Sequence, residues 1–202
     1  VSGITTSSTG DALLPTQRMS SILRELQDEQ LESIIDEQNI TLKAASAKFR
    51  LTSEDPRDYP PVPQFSDENY FRVPAPVFRQ MIRRTTFATD TESTRYALGG
   101  LLLEFNEGIV TLAATDSRRL AVATAACEKH GMPEAPAKAT VVPTKAMSLL
   151  ERSIDPQAEF VDIAVHENDV MMRSGSCVVY SRLVEGRFPR YRDVIPRSGN
   201  VN

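Results

Sequence analysis

Apolar positions along this chain recur in two rhythms. Over 74–87 and 143–154 they fall three and four residues apart, the spacing of a helix with one apolar stripe. Over 69–73, 98–105, 109–114, 119–127, 140–142, 159–165, 169–174 and 176–184 they alternate or form short runs, which predicts strands. Prolines in the helical stretches stand only at their starts, where a missing N–H is harmless. Asn106-Glu107-Gly108 is a turn signal between two strands, and 128–138, with Gly131, Pro133 and Pro136, reads as a loop. The order is strand, helix, three strands, then the same again: two βαβββ halves, an α+β fold. Residues 15–53 read as a helix and three strands, which is one such half.

The chain also resembles itself. Leu14-Pro15-Thr16-Gln17-Arg18-Met19-Ser20 matches Val142-Pro143-Thr144-Lys145-Ala146-Met147-Ser148 at an offset of 128 (143 − 15). Glu37-Gln38-Asn39-Ile40-Thr41-Leu42-Lys43 matches Glu167-Asn168-Asp169-Val170-Met171-Met172-Arg173 at 130 (167 − 37), and Tyr59-Pro60 matches Phe188-Pro189 at 129 (189 − 60). Three matches in one order at nearly one offset indicate a repeated domain. Residues 1–66 are then the second half of one domain and 67–202 a complete second one, joined through the Pro-rich stretch 60–67.

Composition narrows the function classes. Hydrophobic residues make up 41% and charged residues 25% of 202, an ordinary globular balance. The net charge of −4 gives no overall attraction to nucleic acid, so such binding needs a local basic face. Helical spacing supplies candidates. Arg79 and Arg83 lie about 40° apart on one helix, opposite Val77, Phe78, Met81 and Ile82. Lys145 and Arg152 share a face of the next, and Arg24 stands at the position equivalent to Arg152. These five are expected to face outward together and to meet phosphates without sequence preference. The ordinary solvated helix face is the competing explanation for each alone.

Catalytic signatures are missing. Cys127 and Cys177 are far apart and lack metal-ligand spacing, which points away from a disulfide framework and toward a reducing compartment. Cys127 and His130 form C-x-x-H without a second pair; Gly99-Gly100 stands without a phosphate-loop pattern; Ser174-Gly175-Ser176 is no nucleophile elbow. Asp116 reads as a turn residue capping its own backbone. No catalytic residue, metal or cofactor is expected. No run of 18 apolar residues occurs, and the absence of a starting Met points to a fragment.

Two segments stand apart. Ala114-Thr115-Asp116-Ser117-Arg118-Arg119-Leu120-Ala121-Val122 packs charge between apolar strands, and Leu183-Val184-Glu185-Gly186-Arg187-Phe188-Pro189-Arg190-Tyr191 interleaves arginine with aromatic residues. Together they resemble the bacterial DNA polymerase III beta subunit, the sliding clamp family, in its A-T-D-x-x-R-L-A-V and L-V-x-G-R-F-P-x-Y motifs. Arg95-Tyr96-Ala97-Leu98-Gly99-Gly100-Leu101-Leu102 is similar to a further family segment.

The resemblance implies a clamp fold, with helices lining one face and sheets on the other, and a non-catalytic processivity factor. It covers the end of the family's first domain and all of the second; the third is absent. It implies a cytoplasmic, nucleoid-associated homodimeric ring around double-stranded DNA, away from membranes. The implied partners are the replicative polymerase, the clamp loader and other proteins carrying a linear peptide motif. It places the peptide pocket on Leu98, Thr115, Ser117, Arg118, Arg119, Leu120, Pro189, Asp193 and Val194. Ser117 and Arg118 replace the Gly-His often found there, and Asp193 stands where a basic residue is common, which favours a basic or neutral peptide residue near it. Lys48, Phe49, Arg50 and Leu51 are expected on an edge strand at the subunit interface. The competing readings are a structural repeat protein without a DNA role and a phosphate-substrate enzyme using Asp116 and Arg119.

Overall fold

A computed structural model describes residues 5–36, 39–61, 63–90, 92, 97–133 and 139–195. Two compact units divide the chain, Val1–Val62 and Pro63–Asn202.

The first unit is a helix and a sheet. Helix α1 (Thr16–Glu25) precedes strands β1 (Glu32–Ile35), β2 (Asn39–Lys43) and β3 (Lys48–Thr52), which pair antiparallel in the order β1-β2-β3. Its core is small: Ile40, Leu42 and Leu51, with Met19, Ile22, Leu31 and Phe49 packed against them. No residue of α1 is fully buried, and Leu23 and Arg24 are exposed. Strand β3 lies at the sheet edge, pairing among the described residues with β2 alone, and exposes Lys48 and Arg50. Leu51 turns into the unit's own core, and Phe49 is half-buried against it.

The second unit holds strand β4 (Tyr70–Pro74), helix α2 (Ala75–Thr85), β5 (Gly100–Asn106), β6 (Ile109–Thr115), β7 (Leu120–Ala126), β8 (Glu128–His130), β9 (Thr140–Pro143), helix α3 (Thr144–Ser153), β10 (Phe160–Val165), β11 (Asp169–Ser174) and β12 (Cys177–Arg182). The two halves exchange their first strands. One sheet runs β12-β11-β10-β4-β8 and the other β7-β6-β5-β9. This exchange fixes how both helices begin. Pro74 and Pro143 set the extended backbone before α2 and α3. The first helical N–H then bonds to the partner strand's approach: Ala75 N to the Glu159 carbonyl at 2.8 Å, and Thr144 N to the Gly99 carbonyl at 3.1 Å. Two of the donors that a helix start leaves orphaned are thereby satisfied without side-chain caps.

The repeat seen in the sequence coincides with these elements. Helix α1 maps onto α3 residue for residue at the offset of 128 (144 − 16), and β1, β2 and β3 follow in the order of β10, β11 and β12. The main core lies between the two sheets and the two helices, on Phe71, Phe78, Ile82, Leu101, Leu112, Met147, Leu150, Ile163 and Met172. Gly100 is needed for close approach: a Cβ there would stand 2.4 Å from the Val142 carbonyl oxygen on β9.

One finding differs from the expectation drawn from the sequence. Residues 128–130 form a strand rather than loop, pairing Tyr70 with His130 and Arg72 with Glu128. Their apolar signal is absent because the strand is held by its neighbour: the His130 ring stacks on Tyr70 with centroids 4.8 Å apart. The second compact unit begins at Pro63, within the Pro-rich stretch 60–67. Phe65 packs edge-on against Tyr70 with the Arg173 guanidinium 4.3 Å from its ring centroid, and Asp67 accepts from His166 at 2.8 Å. These contacts tie the polar stretch to the sheet.

Candidate functional site

Strands β5 and β6 are buried on both faces over most of their length, which explains their near-continuous apolar runs. Leu101, Leu103 and Leu112 face the main core. Leu102, Ala113 and Val141 face outward into a second cluster with Ala97, Phe188 and Tyr191. The segment after β12 crosses this outer face. Val184 N bonds to the Val141 carbonyl at 2.8 Å, and the Arg187 carbonyl accepts from Ala97 N at 3.4 Å. Gly186 makes the turn between them with φ +121°, a conformation that side chains strain to adopt. Phe188 and Tyr191 then plug into the sheet with their rings edge to face, 6.2 Å apart.

The facing wall is the turn between β6 and β7. Thr115 and Leu120 are register partners at its base. The Thr115 hydroxyl donates to the Arg119 carbonyl at 2.7 Å and accepts from Ser117 N at 3.1 Å. The Asp116 carboxylate accepts from Arg119 N at 2.9 Å and Arg118 N at 3.0 Å. The backbone bonds from Arg119 and Arg118 hold the Asp116 carboxyl below its usual range. Asp116 is therefore spent on its own turn. Ser117 takes φ +72°, the left-handed conformation glycine adopts most easily.

Between these walls lies a cavity of about 520 Å³, lined by Thr115, Ser117 and Leu120 from one side and by Arg187, Phe188, Pro189, Arg190, Tyr191 and Val194 from the other. That volume lies within the usual range of small-ligand and peptide pockets. Five of the expected pocket residues, Thr115, Ser117, Leu120, Pro189 and Val194, are brought together here. Leu98 is buried in the turn before β5, not in the strand as the sequence reading had it, and does not line the cavity. Arg118 and Asp193 are exposed and outside the lining, as is Arg119, which pairs with Asp116 at 2.9 Å and lies 5.4 Å from the Phe87 ring centroid. Arg187, Phe188, Arg190 and Tyr191 also line the cavity, and the G-R-F-P-x-Y motif is the sequence signal for them. Arg95 and Tyr96 lie outside the described residues.

The basic helix residues are placed unequally. On α3, Lys145 and Arg152 are exposed. On α2, Arg83 pairs with Glu151 at 2.6 Å. Arg79 departs from the outward position its spacing predicts: it is half-buried and its Nη2 donates to the Ile154 carbonyl at the end of α3. It brackets the two helices. Arg83 and Arg84 are both exposed on the last turn of α2.

Against known proteins, residues 72–190 match the family model of the DNA polymerase III beta subunit, central domain. This chain belongs to that family. It is 31% identical to the beta sliding clamp of Halalkalibacterium halodurans over 96% of its own length and 51% of that protein's, and 29% identical to that of Bacillus subtilis over 98% and 52%. The chain thus spans about half the length of the curated relatives it matches. Among solved structures, the Bacillus subtilis DNA polymerase sliding clamp superposes with TM-score 0.83 at 27% identity, covering 96% of this chain and 50% of that one. A Pseudomonas aeruginosa sliding clamp bound to griselimycin superposes with TM-score 0.82 at 29% identity, covering 95% and 51%. The α+β clamp fold expected from the sequence is the fold observed.

Proposed function

We propose that this chain is the working middle of a bacterial sliding clamp: a non-catalytic processivity element that docks partner proteins through a short linear peptide. The observation that carries this is the apolar cavity between Thr115–Leu120 and Phe188–Val194, in the stretch matching the family's central domain. Its floor is apolar, the Thr115 hydroxyl is bonded within its own turn, and the Tyr191 hydroxyl is bonded to Glu104. It suits an extended peptide with Leu and Phe anchors better than a reacting substrate.

In this reading the intact protein closes as a homodimeric ring around double-stranded DNA and holds the replicative polymerase and the clamp loader on it. Lys145 and Arg152 on α3, Arg84 on α2 and Arg24 on α1 supply weak, salt-sensitive phosphate contacts, with Arg83 partly offset by Glu151 and Arg79 serving the fold. The open edge of β3, with Lys48, Phe49, Arg50 and Leu51, would extend a sheet into the second subunit through its unpaired backbone. Residues 1–66 would belong to the first clamp domain and 67–202 to the second. Retention on DNA tests the ring: intact protein loaded on a nicked circle should stay bound through gel filtration and run off when the circle is linearised. Equal loss from circle and linear DNA would reject it.

A further inference from the structure

The charges around the cavity point to the ligand it selects. Among the described residues that line it, the charged ones are Arg187 and Arg190, and no acid joins them. Both are exposed, and neither has an ion pair or side-chain hydrogen bond among the described residues. The neighbouring arginines are occupied: Arg119 by Asp116 at 2.9 Å, and Arg192 by Glu104 at 2.7 Å. Two arginines without a charged partner among the described residues, both lining an apolar cavity, are a local reversal of sign in a chain of net charge −4. The acids closest in sequence, Glu185 and Asp193, are exposed and outside the lining. Asp193 therefore does not set the preference for a basic peptide residue expected from its position in the sequence; Arg190, three residues earlier, holds the lining position.

We infer that this pocket selects peptides carrying a carboxylate beside their apolar anchors, with Arg187 and Arg190 as the specificity-determining residues. The inference rests on reading the cavity as a peptide-docking site and adds the charge of the partner. Guanidinium is suited to it: its planar fork accepts a carboxylate through two parallel N–H···O bonds, and it keeps its charge at every working pH. Because both side chains are exposed, each contact is worth a few-fold in affinity rather than orders of magnitude, and it weakens as salt screens it.

Three labelled peptides with identical Leu and Phe anchors test this, differing only in one flanking residue: Asp, Asn or Lys. They are titrated by fluorescence polarisation against the 202-residue chain and its R187Q/R190Q variant, in low and high salt. The Asp peptide should bind about five-fold tighter than the Asn peptide at low salt, and the Lys peptide weaker than either. The gap should close in high salt. In R187Q/R190Q it should close at low salt, with circular dichroism establishing that the variant is folded. Equal binding of the three peptides by wild type overturns the charge preference alone. A preference that survives in R187Q/R190Q overturns the assignment to these residues. Failure of all three peptides to bind overturns the docking reading itself, and the inference with it.

Discussion

Tyr191 donates its phenolic proton to the Glu104 carboxylate at 2.8 Å, joining the segment that walls the cavity to the middle of β5. Burial, followed by the adjacent Glu104 carboxylate, pushes the Tyr191 hydroxyl up to about 12, so it remains a donor throughout the working pH range. Arg192 grips the same carboxylate from the next position at 2.7 Å. The wall is thus anchored by the buried Tyr191 ring and three hydrogen bonds to Glu104. Tyr191→Phe keeps the ring and removes one bond. It should lower the unfolding free energy by about 1–2 kcal/mol in urea titrations and weaken peptide binding by a few-fold. Tyr191→Ala, which also empties the space beside Phe188 and Leu102, should cost about 3–5 kcal/mol. Indistinguishable stability of Phe and Ala variants would mean the ring does not fill the outer cluster.

His166 is held between two carboxylates, with Nδ1 2.6 Å from Asp169 and Nε2 2.8 Å from Asp67. Hydrogen bonding to Asp169, then to Asp67, raises its pKa above the ordinary 6.5. A folded pKa above the unfolded one means the protonated ring stabilises the native state. That contribution is complete below the unfolded value and is lost as pH rises through the folded one. The urea midpoint should fall as pH rises above the ordinary histidine value, and His166→Gln should flatten this slope. A slope unchanged in the variant would place the titration elsewhere.

Arg79 and Arg84 are five residues apart on α2 and do different work. Arg79→Ala should destabilise by about 1–3 kcal/mol, because it strips the bond from the buried Ile154 carbonyl. Arg84→Ala, on the exposed side, should stay within about 0.5 kcal/mol in the same urea titration. Equal costs would remove the bracket role.

Much of this was legible in the sequence because the chain marks its own joints. Pro15, Pro74 and Pro143 stand at the cap of each helix, so the three helix starts and the offset of 128 could be read directly. Strand β8 could not: Glu128-Lys129-His130 has no apolar alternation and is a strand only because β4 lies beside it. The outward reading of Arg79 failed for a similar reason. The helical wheel places it correctly on α2, but the acceptor it finds belongs to the end of α3, seventy-five residues on. In the cavity, the Thr115-to-Leu120 turn was visible as a motif. The inward packing of Phe188 and Tyr191 depends on the outer face of β5, which no periodicity in 183–195 reports.

The claim on which the rest depends is that the cavity docks peptides, and Leu120→Asp tests it most directly. Leu120 lines the cavity and is partly exposed at the start of β7, so a carboxylate there meets the ligand rather than the main core. A Gln-Leu-x-Leu-Phe-type peptide is titrated by calorimetry against wild type and variant, with circular dichroism establishing that both are folded. The variant should lose more than about tenfold in affinity, since the change sets a charge against apolar anchors. Equal affinity for the two folded proteins would contradict it and place partner docking elsewhere on the molecule.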